Sequence, residues 1–125
     1  MESLIQFKTV FEIRAKLYNA IRAFFSNLSY IEVETPIIIP TPAIELHIDA
    51  IHAEDKYLRT SPELHMKRML TEGYERIFQI AKCFRSGEKG KLHYPEVTML
   101  EWYKTNSNYL NILQNHLLVL KVNCF

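Results

Sequence analysis

The stretch from Phe84 to Tyr103, FRSGEKGKLHYPEVTMLEWY, constrains the fold of this chain more than any other segment. Its two ends alternate as β-strands do, and a basic segment punctuated by glycine joins them. Two antiparallel strands joined in this way can hold the phosphates of a nucleotide between the loop and an arginine at one strand end. The stretch therefore predicts a hairpin with Arg85 at the phosphate position.

The composition predicts a folded chain whose anion binding is local. Of its 125 residues, 48% are hydrophobic and 23% are charged, which is typical of one globular domain. The 15 basic and 14 acidic side chains give no overall attraction for nucleic acid or membrane. No signal-peptide core or membrane-length apolar run is present. Cys83 and Cys124 fit neither a disulfide framework nor a metal-ligand spacing, so a reduced, cytoplasmic protein without a metal site is expected.

Three helices are predicted from apolar periodicity and from end signals. Apolar residues at steps of three and four predict a long helix from about Glu2 to Asn27. Ser61-Pro62-Glu63 is a strong helix start, with serine as cap and proline in the first position, and Gly73 is a natural stop. A last helix, from about Ser107 to Lys121, carries leucines on one side.

Short strands are predicted between the first two helices. The run Tyr30–Pro36 alternates as a strand that Pro36 ends, because proline cannot donate to a ladder. Pro40 and Pro42 then predict an extended, irregular crossing. His47–Ala53 and Lys56–Thr60 are predicted to pair as two short strands.

The strand from Arg76 to Arg85 separates its side chains by parity. One face contains Phe78, Ile80, Lys82 and Phe84, and the other contains Gln79, Ala81, Cys83 and Arg85. The second face is small and polar, which suits a surface that faces a ligand, since a core-facing one would be bulkier. The pairing predicts that Arg85, Glu101 and Tyr103 lie on the same side of the sheet.

Arg85 is the strongest catalytic candidate. Its guanidinium can bind an α-phosphate with two hydrogen bonds and spread the negative charge that develops during attack on the phosphorus. Taken alone, a strand-end arginine more often pairs with a surface acid such as Glu88. Its place within the Phe84–Tyr103 stretch favours the phosphate role. Lys89 and Lys91 suit the remaining phosphates and a solvated basic turn equally well.

Glu63 and Glu101 are acids that flank the predicted pocket. A substrate with two ammonium groups would need at least two fixed carboxylates, because an unpaired buried charge is costly. Glu63 also has a simpler explanation, since a carboxylate in the first turn of a helix is stabilised by roughly 0.3–1 kcal/mol. Lys67 and Arg68, on the same helix, are predicted to form a solvated face.

These segments together resemble the class II aminoacyl-tRNA synthetases. The Phe84–Tyr103 stretch resembles their motif 2, here about residues 76–103, and HYPEVTMLEWY is most similar to the lysyl branch and to the elongation factor P lysine ligases within it. FFSNLSYIEVETP resembles motif 1, about residues 5–39, which forms the dimer interface in those proteins. The resemblance implies an α+β fold, a partial catalytic domain with an antiparallel β-sheet flanked by helices, and a homodimer through motif 1.

The resemblance also implies two sets of site residues. Those that would bind ATP are Arg85, Ser86, Gly87, His93, Tyr94 and Val97, and those that would bind a lysine-type amino acid are Ser61, Pro62, Glu63, Glu101 and Tyr103. The implied reaction is the activation of lysine or β-lysine as an adenylate by ATP with Mg²⁺. The implied acceptor is a lysine of elongation factor P. The alternatives are transfer to tRNA, and a non-catalytic paralogue that dimerises and binds.

Departures from the family pattern fall on the nucleotide side. The family's FRNE is FRSG here, so Gly87 replaces an acid. The family's HNPEF is HYPEV, so Tyr94 replaces an asparagine and Val97 replaces an aromatic ring that stacks on adenine, at a cost of about 1 kcal/mol. No OB-fold domain precedes motif 1, which favours the elongation factor P ligases. No glycine-rich motif 3 follows, so residues 1–125 are expected to form a single truncated domain that is incomplete alone.

Overall fold

The computed structural model describes residues 2–42, 48–87 and 94–120, and these form an α+β fold, as predicted. The helices are α1 (Glu2–Asn27), α2 (Glu63–Thr71) and α3 (Tyr109–Leu120). The strands are β1 (Ile31–Glu32), β2 (Ile38–Ile39), β3 (His52–Ala53), β4 (Lys56–Leu58), β5 (Arg76–Phe84) and β6 (Glu96–Lys104). The predictions for Glu88, Lys89, Lys91 and His93 lie outside the described residues, as does the start of the His47–Ala53 strand.

The chain divides into two compact units, and the first contains Met1–Ile31 and Asn106–Phe125. Its α1 has the predicted bounds and ends where Ser29 adopts a left-handed conformation, φ 61°. Phe25 is fully buried, and its ring contacts that of Tyr30 edge to face at a centroid distance of 5.1 Å. Asn115 Nδ2 on α3 donates to Tyr30 Oη at 3.0 Å. These contacts join α3 to the end of α1.

The strand orders of the two small sheets are β1-β5-β6 and β2-β4-β3. The second unit, Glu32–Thr105, contains the β5–β6 pair and the β2-β4-β3 sheet. The antiparallel β5–β6 pair runs from Arg76 opposite Lys104 to Phe84 opposite Glu96. Helix α2 belongs to this unit, and its buried Met66 packs in a core with Val33 and Ile77. Met69, Leu70 and Tyr103 pack against that core. The hairpin and α2 are therefore held together by apolar contacts.

Two strand predictions need correction. The strand predicted over Tyr30–Pro36 is limited to Ile31–Glu32. The crossing predicted to be irregular contains β2, which pairs with β4 with Ile38 opposite Leu58. The amide of Arg59 extends this pairing by donating to the carbonyl of Ile37 at 2.9 Å. Three isoleucines with backbone N–H groups lie between Pro36 and Pro40, which is enough for a two-residue ladder.

The start of α2 also differs from the prediction, whereas its end does not. Pro62, not Ser61, is the N-cap residue, and it provides no side-chain cap. Ser61 Oγ accepts only a long hydrogen bond from the Glu63 amide, at 3.4 Å. At the other end, Gly73 has φ +98°, and the amides of Gly73 and Tyr74 donate to the carbonyls of Leu70 and Met69. This is a Schellman motif, which confirms the predicted glycine stop.

Candidate functional site

Two carboxylates and a phenol from β6 and α2 form the centre of the candidate site. Glu101 and Tyr103 are two residues apart on β6, so their side chains lie on the same face of the strand. Their partners on β5 are Gln79 and Ile77, respectively. Tyr103 Oη donates a short hydrogen bond to Glu101 Oε1. The hairpin register thus places the two substrate-side residues of the predicted set side by side.

The charge of Glu63, the first residue of α2, also affects the pKa of Tyr103. Burial raises the pKa of the Tyr103 phenol far above its usual range, and its hydrogen bond to Glu101 and the negative charges of Glu101 and Glu63 raise it further. Each of these effects disfavours a phenolate. Both carboxylates therefore act on one hydroxyl, which remains a neutral hydrogen-bond donor.

Lys67 is the cation at this cluster. Its Nζ makes a short ion pair with Glu63 Oε1 one helical turn away, and the side chain is 54% exposed. The hydrogen bond and charge of Glu63 raise the pKa of Lys67, and the charge of Glu101 adds to the shift. The solvated face predicted for Lys67 is confirmed, but its link to Glu63 was missed. The Glu-to-Lys spacing of four residues was the available signal.

A buried polar network lies on the β5 side of this cluster. Arg59, only 3% exposed, donates from Nε to the Lys82 carbonyl and from Nη1 to the Thr35 carbonyl, each at 2.7 Å. Nη1 also lies 2.9 Å from Thr35 Oγ1. With its amide nitrogen toward that hydroxyl, at 3.0 Å, Gln79 accepts from the Thr35 amide and from Arg59, each at 3.2 Å. Sequence reasoning missed Thr35 and Arg59, and no local pattern marks either residue.

This network corrects the prediction that the small polar face of β5 is an open surface. Three members of that face, Gln79, Ala81 and Cys83, are buried at 2%, 1% and 0% exposure, whereas Arg85 at its end is partly exposed. The side chains of Thr35 and Arg59 pair with Gln79 and cover the strand there. Burial raises the pKa of the Cys83 thiol, while the nearby charges of Arg59 and Arg85 lower it and that of Glu101 raises it.

The hairpin pairing also locates Arg85. Arg85 follows Cys83 by two residues, and its amide donates to the carbonyl of Pro95 at 2.8 Å, so the β5–β6 pairing continues to Arg85 and parity puts it on the Cys83 face. The β5–β6 register puts Glu101 and Tyr103 on that face as well. The predicted common side for these three residues is therefore what the structure shows.

The proposed phosphate end of the site begins where β5 stops. The amide of Arg85 donates to the carbonyl of Pro95 at 2.8 Å, and that of Ser86 donates to the carbonyl of Asp49 at 2.7 Å. Gly87 has φ +75°, a conformation that favours glycine, so the turn there explains a glycine in place of the family's acid. These bonds fix the backbone on both sides of Arg85.

The other predicted site residues differ in accessibility. Tyr94 is 69% exposed, whereas Pro62 is fully buried and lies inside the fold. Val97 is half-buried opposite Cys83, and Ser61 is half-buried before α2. Within the described ranges, no group of three or more His, Cys, Asp or Glu side chains could hold a metal ion. No helix in the same ranges is long and apolar enough to cross a membrane.

The sequence of residues 5–120 matches the tRNA synthetases of class II (D, K and N). The chain belongs to this family. The hairpin, α2 and the residues around Glu101 are thus parts of a class II synthetase fold, and the family resemblance inferred from the sequence is confirmed.

Curated relatives of this class II chain carry two kinds of name. It is 39% identical over 116 residues to the elongation factor P–(R)-β-lysine ligase of Mannheimia succiniciproducens, covering 85% of this chain and 36% of that protein. For the ligase of the same name from Haemophilus influenzae (strain PittGG), the identity is 44% over 101 residues, or 73% and 31% of the two chains. The lysine–tRNA ligase of Acinetobacter baylyi is 40% identical over 113 residues, or 86% and 22%. The chain thus spans about a third of the two elongation factor P ligases and 22% of the lysine–tRNA ligase.

Proposed function

We propose that this chain provides the lysine-recognition and α-phosphate side of an AMP-forming class II ligase. The observation that supports it best is the grouping of Glu63, Glu101 and Tyr103 by α2 and the hairpin. Two carboxylates and a neutral phenol suit a substrate with ammonium groups. The names of the relatives, elongation factor P–(R)-β-lysine ligase and lysine–tRNA ligase, point to the same class of amino acid.

The proposed first step joins the amino acid to AMP. A carboxylate oxygen of lysine or β-lysine attacks the α-phosphorus of ATP, an oxygen–phosphorus bond forms, and the bond to pyrophosphate breaks. Arg85 would hold the α-phosphate and stabilise the charge that develops on its oxygens. The carboxylates of Glu63 and Glu101 would hold the substrate ammonium groups, so that the substrate carboxylate is oriented toward the phosphorus.

The remaining nucleotide contacts are proposals from the family resemblance. Ser86, Gly87, His93, Tyr94 and Val97 would surround the rest of ATP. Mg²⁺ would bind with the nucleotide, because phosphate oxygens are the hard ligands that it prefers, and it would neutralise phosphate charge. The domain would span residues 1–125, act in the cytoplasm and dimerise through motif 1.

In the second step, the ε-amine of a lysine on elongation factor P would attack the acyl carbon of the adenylate, and AMP would leave. Transfer to tRNA is the second candidate, because the relative from Acinetobacter baylyi is a lysine–tRNA ligase of similar identity, 40%. Both candidates share the first step and differ only in the nucleophile that accepts the acyl group.

Lysine-dependent exchange of pyrophosphate into ATP by the purified chain tests the first step. Exchange that is lost in Arg85→Ala and kept in Arg22→Ala would support the phosphate role of Arg85. Arg22→Ala removes an exposed arginine near the ring of Tyr18. Exchange that survives Arg85→Ala would refute the phosphate role of Arg85. Absence of exchange in the unaltered chain would refute adenylation by this chain. Where exchange occurs, transfer of labelled lysine to elongation factor P or to tRNA decides between the acceptors.

A further inference from the structure

The ammonium group of Lys67 lies on a carboxylate that the proposed function assigns to the substrate. Its Nζ is paired with Glu63 Oε1, and both residues lie on α2, one turn apart. We propose that Lys67 is an internal counter-ion of the amine site, which occupies Glu63 when no ligand is bound and is displaced by an ammonium group of the ligand. The inference rests on the proposed function in that the ligand is an amine.

The ammonium group of Lys67 interacts with two carboxylates, those of Glu63 and Glu101. Glu63 pairs with Lys67 directly, and the charge of Glu101 also favours the charged form of Lys67. Both carboxylates also raise the pKa of the Tyr103 phenol. A cation paired with Glu63 therefore offsets part of the negative charge of the site when no ligand is bound.

Two other cations of the second unit are committed to different partners. The Arg59 guanidinium is bound to the carbonyls of Lys82 and Thr35 inside the fold. The Lys82 ammonium pairs with Glu96 at 2.8 Å, across the hairpin. Among these three cations, Lys67 is the one that the structure pairs with a carboxylate of the amine site.

The ion pair of Lys67 and Glu63 is accessible, so a ligand ammonium can replace that of Lys67. The Lys67 side chain is 54% exposed and that of Glu63 is 39% exposed, so water and solutes reach both groups. Lys67 has a long flexible stem, and its ammonium can return to water when it leaves Glu63. An incoming ammonium therefore replaces one cation by another, whereas a neutral group cannot replace Lys67 without losing a charge pair. Lys67 thus favours amine ligands while reducing their apparent affinity.

Lys67→Gln removes the competing cation, and Lys82→Gln is its matched control. The control breaks another ion pair of similar exposure, in which Lys82 is 44% exposed and Glu96 is 54% exposed. The probe is 1,5-diaminopentane without ATP, with binding measured by isothermal titration calorimetry. This diamine has two ammonium groups and no carboxylate, so it reports on the amine site alone. We expect Lys67→Gln to bind it about two- to fivefold more tightly than the unaltered chain, and Lys82→Gln to bind it equally well.

Equal or weaker binding of the diamine by Lys67→Gln would overturn the proposal, and so would the absence of binding by both proteins. Weaker binding of lysine with unchanged binding of the diamine would assign Lys67 to the substrate carboxylate instead. The pyrophosphate-exchange assay and the diamine titration can fail independently, because they report on adenylation and on the amine site respectively. Tighter diamine binding without exchange would leave the counter-ion role intact and refute adenylation. Pyrophosphate exchange with an unchanged diamine affinity in Lys67→Gln would support adenylation and refute the counter-ion role.

Discussion

Tyr103 donates its phenolic hydrogen bond to the carboxylate of Glu101, two residues before it on the same face of β6. The bond helps to orient the carboxylate, and the packing of Tyr103 against the core of Met66, Val33 and Ile77 keeps the donor in place. Glu101 is thereby connected to the hydrophobic core through one phenol. A carboxylate held in this way is suited to recognise an ammonium group with little loss of entropy on binding.

The first prediction concerns the alkaline stability of the chain. The folded-state pKa of Tyr103 is raised, so the unfolded chain releases this proton first, near pH 10. The contribution of Tyr103 is therefore complete below that pH and is lost as the pH rises above it. We expect the free energy of unfolding by urea to fall less steeply above pH 10 in Tyr103→Phe. Tyr74→Phe, at a 41% exposed tyrosine, should keep the slope of the unaltered chain. Equal slopes for all three proteins would contradict the shift.

The second prediction concerns Arg59, whose guanidinium donates hydrogen bonds to the carbonyls of Thr35, earlier in the sequence, and Lys82, later in it. Arg59→Met would leave the carbonyls of Lys82 and Thr35 without their buried donor, so we expect a loss of about 3 kcal/mol of unfolding free energy. Urea denaturation measures this loss, with the exposed Arg68→Met as control. A loss below about 1 kcal/mol would show that the network contributes little to stability.

Local signals were sufficient for much of the fold. The periodicity of α1 gave its bounds, Gly73 marked the end of α2, and strand parity separated the two faces of β5. Parity gives the composition of a face but not what covers it. The small polar face is buried because Thr35 and Arg59, which lie 44 and 20 residues before Gln79 in sequence, pack on it. Contacts over such separations leave no periodic signal.

The candidate site was predictable to a similar extent. The hairpin pattern and the family resemblance selected Glu101 and Tyr103. The register confirms that both lie on the same face of the hairpin as Gln79, Ala81 and Cys83 of β5. Lys67 was missed because each charge on α2 was considered alone, although the spacing of Glu63 and Lys67 predicts a pair. The capping role of Ser61 was wrong because a helix start can leave its first amides without a side-chain cap.

The third prediction concerns Gly73, whose φ of +98° is reached at low cost only by glycine. A Cβ at this position would meet no atom within 4 Å, so the cost of Gly73→Ala is one of backbone conformation and not of packing. We expect a loss of about 1 kcal/mol of unfolding free energy in urea. The neighbouring Glu72→Ala, at φ −89°, should change the stability by much less. Equal effects of the two changes would contradict the strain argument.

The last prediction tests whether the β5 face is packed or open. Cys83 is completely buried, and burial is the largest influence on its thiol and raises the pKa, so little reactive thiolate forms. In a Cys124→Ser background, Cys83 is the only thiol of the chain. We expect it to react with a disulfide reagent at pH 8 at least about tenfold more slowly in the folded chain than in urea. Moving the single thiol to the exposed position of Ser26, by Ser26→Cys with Cys83→Ser, should restore fast reaction. A folded chain in which Cys83 reacts as fast as that exposed thiol would show that Thr35 and Arg59 do not close this face. The small polar face of β5 would then be open to a ligand, as the sequence first predicted.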